Sequence, residues 1–330
     1  MPQPLAKAGV PPVLQNVSVQ YRNPDYVADR VFPIIQNCPP EAKILRYLKG
    51  AWFRDEAQMM GDGSEAGRGG YPIDFIDVIP KKYGFAKEVT EGDREAAAAQ
   101  GGPPLQPDQD AIEFATDKLL MKREVRVQAK INASVWSGVA ATGEDAQGLW
   151  APAGATNTFI VDVETRIETI RSATGFRPNV LLMDAITWSK VKQVDAILDR
   201  IKYTGAEADP ARVTMRMIAA LFDLDEVLVA GAIKSTAKET KAGTDFTSAP
   251  IWTVNTTKGM GFLFYRARAP GLKVPSAGYV ARSGLYPEGI RVRTWFEESK
   301  NQDVYEAAEK IDVVASGLDL GFQWSDTNAD

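Results

Sequence analysis

The run AIEFATDKLLMKREVRVQAKINASVW, Ala111 to Trp136, carries neither proline nor glycine for 26 residues. At 1.5 Å of rise per residue it predicts a helix about 39 Å long, more than the width of a small domain. Asp108 and Asp110 supply negative charge where the helix N-terminus needs it. Ile112, Ala115, Leu119, Lys122 and Arg126 trace a narrow stripe with dense charge around it. A rod of that length with so little apolar surface cannot be a simple core helix. It reads as a structural spine on which other elements are hung.

The segments before it are broken by design. Eight prolines fall in the first forty residues, ending at Pro39 and Pro40. Proline fixes φ and biases its predecessor away from helix, so an extended arm is expected there. EAKILRYLKGAWF and PIDFIDVIPKKYGFAKEV then flank GDGSEAGRGGYP, which holds five glycines between Gly61 and Gly70. Ile73, Phe75, Ile76 and Val78 follow a strand-like pattern, which predicts a long hairpin with a glycine-rich tip. The Ala96–Pro104 stretch closes it with a clear break.

After the spine, residues 138–155 read as loop, and DVETRIETIRSATG as a helix stopped by Gly175. NVLLMD and DEVLVAGAIK read as buried strands. Between them, AITWSKVKQVDAILDRI reads as one helix or two short ones, and PARVTMRMIAALF as a helix starting at Pro210. This alternation predicts a sheet with helices on its faces. The end of the chain is strand-dominated: GFLFYRAR, SAGYVARSG, GIRVRTWFEES and DVYEAAEKIDVVASGLDLGFQW, the last with a middle that also fits a helix. The class is α+β.

Composition removes most catalytic chemistry. The 330 residues are 45% hydrophobic and 25% charged, enough for a large core, and include no histidine and one cysteine, Cys38. Without histidine there is no Ser-His-Asp or Cys-His activation and no histidine metal site. One cysteine forms no internal disulfide, which fits a reducing compartment. The net charge of −5 gives no strong pull toward nucleic acid or anionic lipid. No apolar run reaches the length of a membrane span, so no membrane contact is expected.

The local motifs that survive each have a plainer reading. Gly61, Gly63 and Ala66 match the spacing of a dinucleotide fingerprint, but that motif needs a buried strand before it and a helix opening inside it. Here a charged WFRDEAQ run precedes, and a proline and strand pattern follow, so a hairpin tip is expected. Ser235 and Lys238 match S-x-x-K without the downstream motifs that the serine acyl-transfer enzymes require. Asp223, Asp225 and Glu226 lack calcium-loop spacing and read as solvated turn carboxylates. Trp252, Phe262, Phe264 and Tyr265 read as core. No catalytic, metal or cofactor-binding residue is assigned, and no cofactor is expected.

The order of parts (arm, glycine-tipped hairpin, spine helix, α/β region, strand-rich close) resembles the major capsid protein of tailed bacteriophages, the Hong Kong 97-type fold. GFRPNVLLMDAITWSKV, DAILDRIKYT and MIAALFDLDEVLVAGAIK, between Gly175 and Lys234, carry the likeness. The resemblance implies an extended arm at 1–49, a hairpin loop at 50–104, the spine helix and peripheral domain at 105–155, an axial α/β domain at 156–275 and return strands at 276–330. It implies that arm and hairpin lie across neighbouring subunits. The tip residues Gly61, Gly63, Gly67, Arg68, Gly69 and Gly70, with Ile73 and Phe75, are the expected inter-subunit contacts, because glycine lets the tip bend to fit slightly different neighbours.

The implied function is a shell subunit that self-assembles as hexamers and pentamers around double-stranded DNA, with weak non-specific contact to that DNA. Scaffold, portal and decoration proteins are expected partners, in a virion assembled in the bacterial cytoplasm. Some relatives join a loop lysine to an asparagine of another subunit. Lys81, Lys82 and Lys87 lie in that region, but no motif assigns the asparagine or the assisting acid. With the arm beginning almost at once, either a processed chain or a separate scaffold is expected. Two alternatives stand: an encapsulin-like compartment shell, and a histidine-free α+β hydrolase with a deep carboxylate-rich pocket.

Overall fold

Pro80 divides a run that reads in sequence as one strand, and the two halves join different sheets. Ile73–Val78 pairs with Ala42–Tyr47, whereas Lys81–Thr90 pairs with a strand more than two hundred residues later. Proline has no N–H to give a ladder, and Ile79 before it donates instead to Asp312 at 3.0 Å.

The structure is a computed structural model describing residues 23, 26–98, 106–151, 157–204, 213–238, 245–254, 258–271, 273–286 and 289–328. The expected arm over its first 22 residues, and the Gly-Gly-Pro-Pro break, lie outside these. In chain order the first elements are α1 (Ala28–Val31), β1 (Ile34–Cys38), β2 (Ala42–Tyr47), α2 (Lys49–Trp52), β3 (Ile73–Val78), β4 (Lys81–Thr90), α3 (Glu91–Ala98) and the spine α4 (Pro107–Ala133). Next come β5 (Glu144–Asp145), α5 (Phe159–Thr174), β6 (Val180–Asp184), α6 (Ala185–Val191), α7 (Asp195–Thr204), α8 (Met215–Leu221), β7 (Glu226–Ala230), β8 (Ile233–Ser235) and β9 (Ser248–Pro250). The chain closes with β10 (Met260–Phe264), β11 (Gly278–Ser283), β12 (Arg291–Glu297), β13 (Gln302–Ala315) and β14 (Gly321–Ser325).

The spine is one unbroken helix of 27 residues with Pro107 in its first turn. Its buried positions are Ala111, Ala115, Leu119, Arg123, Val127 and Ile131, with Glu124 beside them. Spacing of four drifts by about 40° per step on a 3.6-residue helix, so from Ala111 to Ile131 the stripe turns roughly half-way round. The two halves therefore face different bodies. Ala115 and Leu119 pack with Ala307 under the first sheet, while Val127 and Ile131 enter the core beside the second. The sequence stripe through Lys122 and Arg126 is corrected accordingly: Lys122 is exposed, and Arg126 is half-buried with its guanidinium 3.7 Å from the Tyr83 ring.

The first sheet runs β1–β11–β13–β12, with β4 along the opposite edge of β13. β13 is one continuous strand of fourteen residues, and of the two alanines in its middle Ala307 packs on the spine while Ala308 faces the opposite way, as strand alternation requires, which excludes the helical alternative. The second sheet runs β5–β14–β10–β6–β7. β6 is buried on both faces, as its unbroken apolar run requires. Val180 and Leu182 join Phe262, Phe264, Trp136 and Trp252 on the spine side. Leu181 and Met183 join Leu263, Trp324 and the Phe159, Val163 and Ile167 stripe of α5 on the other.

Local signals set the helix ends. Gly175 follows α5 at φ 76° and donates to Arg171 O at 2.8 Å, as a left-handed cap does. Asp184 ends β6 and caps α6 by accepting from Ile186 N and Thr187 N. The helix expected from Pro210 is corrected to start at Met215, where the Thr214 side chain accepts from Met217 N. The 185–201 run is two helices.

Candidate assembly surface

β2 and β3 form an antiparallel hairpin, from Ala42 opposite Val78 to Tyr47 opposite Ile73. Alternation gives it two faces. Ile44, Ile76 and Val78 turn inward on Cys38, Ala281 and Val314, which fixes the base of the hairpin to the first sheet. Leu45 and Phe75 lie opposite one another on the outer face, 44% and 54% exposed. Lys43 reaches over the Phe75 ring at 5.7 Å. Arg46 pairs with Asp74, whose carboxyl is held low first by the Phe75 N–H and then by that guanidinium.

Beyond the paired strands every residue from Trp52 to Ile73 is exposed. Gly61, Gly63, Gly67 and Gly70 have open space where a side chain would stand, and Gly69 lies near Glu56 only. Gly63 adopts φ 87°, and Ser64 closes the turn by donating its N–H and hydroxyl to Gly61 O. Arg68 reaches only Glu65 of the same tip, at 3.8 Å. Ile73 is 41% exposed. The expected contact residues thus stand together on one projecting finger, exposed or half-buried and away from the described body of their own chain.

Sequence reading passed over a second set on the same finger. Trp52, Phe53, Met59 and Met60 are exposed large apolar side chains, and their WF and MM pairs beside a charged tip were the available signal. Tyr47, Trp52 and Tyr71 cluster edge-to-face and tilted at its neck with ring centroids 5.4–6.1 Å apart, and Lys273 sits 5.4 Å over Tyr47. Lys49 bonds Asp319 at 2.6 Å. Between neck and body lies a cleft of about 780 Å³ walled by Ile44, Tyr47, Phe53, Phe176, Val274 and Leu318. Among its described lining residues the single carboxylate is Asp319, the one paired with Lys49, so the cleft is not the carboxylate-rich pocket of the hydrolase alternative.

The remaining motifs take their plainer readings. No helix opens within Gly61–Pro72, so no amide cluster faces a phosphate there. Ser235 ends an exposed edge strand and accepts from Ala237 N and Thr247 N. Asp223 pairs with Arg177, Asp225 approaches Arg268 at 4.0 Å, and Glu226 pairs with Arg30 and Arg266. Asp223 and Asp225 are the exposed turn carboxylates expected, but that reading is corrected for Glu226, which opens β7 and is mostly covered between its two arginines, joining α1 to the strands. Trp252, Phe262 and Phe264 are core, with Tyr265 packed against it. No described helix is long and apolar enough to cross a membrane.

No family model matches the chain. It is 22% identical over 235 residues to the major capsid protein of Burkholderia phage BcepMu, covering 70% of this chain and 71% of that one. Among solved structures it is similar to a phage-related protein from Bordetella bronchiseptica, with TM-score 0.64, 19% identity and 94% and 95% of the two chains covered. It is also similar to the capsid of cyanophage P-SCSP1u, with TM-score 0.60, 10% identity and 99% of each chain covered. The superpositions cover 94–99% of the chain, and the fold is the Hong Kong 97-like capsid fold.

Proposed function

We propose that this chain is a phage major capsid protein, the repeating subunit of an icosahedral shell around double-stranded DNA. The observation that carries the reading is the projecting hairpin: a finger rich in large apolar residues, exposed from Trp52 to Ile73, on a fold whose relatives include capsids matched end to end. Exposed apolar surface of that extent has a use when another molecule covers it. The glycine tip, Gly61 to Gly70 with Arg68, Ile73 and Phe75, is the part that reaches the neighbour. Its φ freedom absorbs differences between hexameric and pentameric settings, and its ordering cost is met when Phe75 and Ile73 gain partners.

Many heterologous contacts of this kind close into a shell when the rotation about local axes closes. With a net charge of −5 the chain as a whole has little attraction for packaged DNA, which leaves the DNA free to move. Scaffold and portal proteins, and assembly in the bacterial cytoplasm, belong to the same reading. Expressing the chain and following it by sedimentation and negative-stain microscopy tests it. Large closed shells, alone or with the other head proteins of its phage, are expected. A species that stays a monomer or small oligomer in both cases overturns the reading.

A further inference from the structure

Strand β12 is an edge strand of the first sheet. Its inner edge pairs with β13 without a break, from Arg291 opposite Ala308 to Glu297 opposite Gln302, and among the described residues no strand pairs with its outer edge. Every residue but the last is exposed, Val292, Trp295 and Phe296 among them. Such an edge presents a row of unpaired N–H and C=O groups, which soluble proteins usually interrupt with a proline or a bulge. β12 has neither.

The strand also reads as its own complement. Laid antiparallel on a second copy about a two-fold axis at Thr294, Arg291 meets Glu297, Val292 meets Phe296, Arg293 meets Trp295, and Thr294 meets Thr294. Opposite charges, an aromatic with a β-branched residue, a cation with an indole and two threonines are all favourable cross-strand pairs. Other registers lose this. A two-fold at Arg293 sets that arginine against itself, and one at Trp295 sends Arg291 beyond the strand end to Ser299. Arg291 and Arg293 form no ion pair with a described residue, and Arg293 already leans over Trp295, 6.0 Å from the ring centroid. Glu297 accepts from Gln302 at 2.8 Å on Oε2, and from Ser299 at 3.2 Å on Oε1 with Lys300 3.6 Å away, which leaves an Oε2 lone pair for a further donor.

We propose that β12 pairs edge to edge with β12 of a second copy, centred on Thr294, so that the first sheets of two subunits run on as one. The contact is isologous and belongs on a two-fold axis. It deepens the shell reading by naming one contact, and rests on that reading only for its setting, since the pair can be measured on unassembled subunits.

Cysteine cross-linking tests it. Directly opposed antiparallel residues stand about 4.5–5.5 Å apart at Cα, within disulfide range. The native Cys38 is buried, and the unmodified chain serves as control. Under mild oxidation Thr294→Cys is expected to give a covalent dimer by itself. Val292→Cys and Phe296→Cys are expected to give one only when mixed. Arg291→Glu in the Thr294→Cys background is expected to slow cross-linking about tenfold, because two symmetry-related pairs turn repulsive, and adding Glu297→Arg to restore it. Particles that form with no Thr294→Cys cross-link overturn this contact and leave the shell reading standing. Val292→Cys linking to itself as fast as Thr294→Cys also overturns it. Cross-linked dimers from a chain that never forms shells support the contact and overturn the shell reading.

Discussion

Trp252 donates its indole N–H to the carboxylate of Glu124, and both residues are buried beside the middle of the spine. The other oxygen of that carboxylate accepts the Ala28 N–H at 2.7 Å. One side chain of the spine thus holds the short helix that leads in from the arm and the loop before β10. Two donors on two oxygens keep the group satisfied, yet removing it from water still favours its neutral form.

Burial pushes the Glu124 carboxyl above its ordinary 4.5, against the pull of the Ala28 and Trp252 donors. A raised folded value means the folded state holds the proton more tightly, so the stability gained from protonation is complete below about 4.5 and is lost as pH rises through the folded value. Measured by thermal melting of unassembled subunits, the native chain should therefore gain on Glu124→Gln as pH is lowered from 7 toward 4.5. At pH 7 Glu124→Gln should itself cost about 1–3 kcal/mol, because its amide nitrogen faces one of the two donors. A pH-independent difference between the two would refute this.

Arg123 donates through Nε to Glu309 at 2.9 Å and through Nη1 to Asp29 at 2.6 Å, and Glu309 is fully buried while also 3.3 Å from Arg126. Burial lowers the Arg123 guanidinium, and the two carboxylates more than offset it. Glu309→Ala leaves Arg123 with one half-exposed partner, and should cost about 3–5 kcal/mol. Urea unfolding of the subunit checks it, with Lys82→Ala, which breaks the more exposed Lys82–Glu306 pair, expected to cost under about 1 kcal/mol.

Gly143 sits at φ 88°, and a Cβ there would stand 2.4 Å from the backbone oxygen of Gln323. Gly143→Ala should destabilise by about 2–4 kcal/mol, since neither backbone can yield without shifting β14. Gly61→Ala, with open space and no left-handed φ, should change stability by less than about 0.5 kcal/mol. Equal melting temperatures for the two variants would contradict this contrast.

Deleting Asp62 to Gly70 removes only exposed residues beyond the hairpin ladder. The subunit should keep its circular dichroism and melting temperature, while shell yield in sedimentation falls to background. Undiminished shells would remove the tip from assembly.

The spine, the hairpin and the buried strands β6 and β7 were legible because each is specified locally: a run without breakers, turn residues between alternating segments, short apolar runs. Cap residues such as Gly175 were legible for the same reason. The division at Pro80 was not, since one apolar pattern serves both halves and only the partner strand tells them apart. The buried stripe of the spine was legible through Ala115 and Leu119 but not beyond them. Arg123 and Glu124 look like surface charge until Glu309 and Trp252, which lie far along the chain, supply their partners.

At the assembly surface the glycines announced an adaptable tip and the WF and MM pairs beside it were a further signal, but large apolar residues that elsewhere would be core do not by themselves show that Trp52, Phe53, Met59 and Met60 stay exposed. The amino-acid order alone determined which segments could be helix, strand or bend, because those choices depend on neighbours within a few positions. Which faces were buried, which carboxylates met arginines and which sheet edge stayed open were decided only on folding. Those outcomes depend on pairings hundreds of residues apart, which no local pattern encodes.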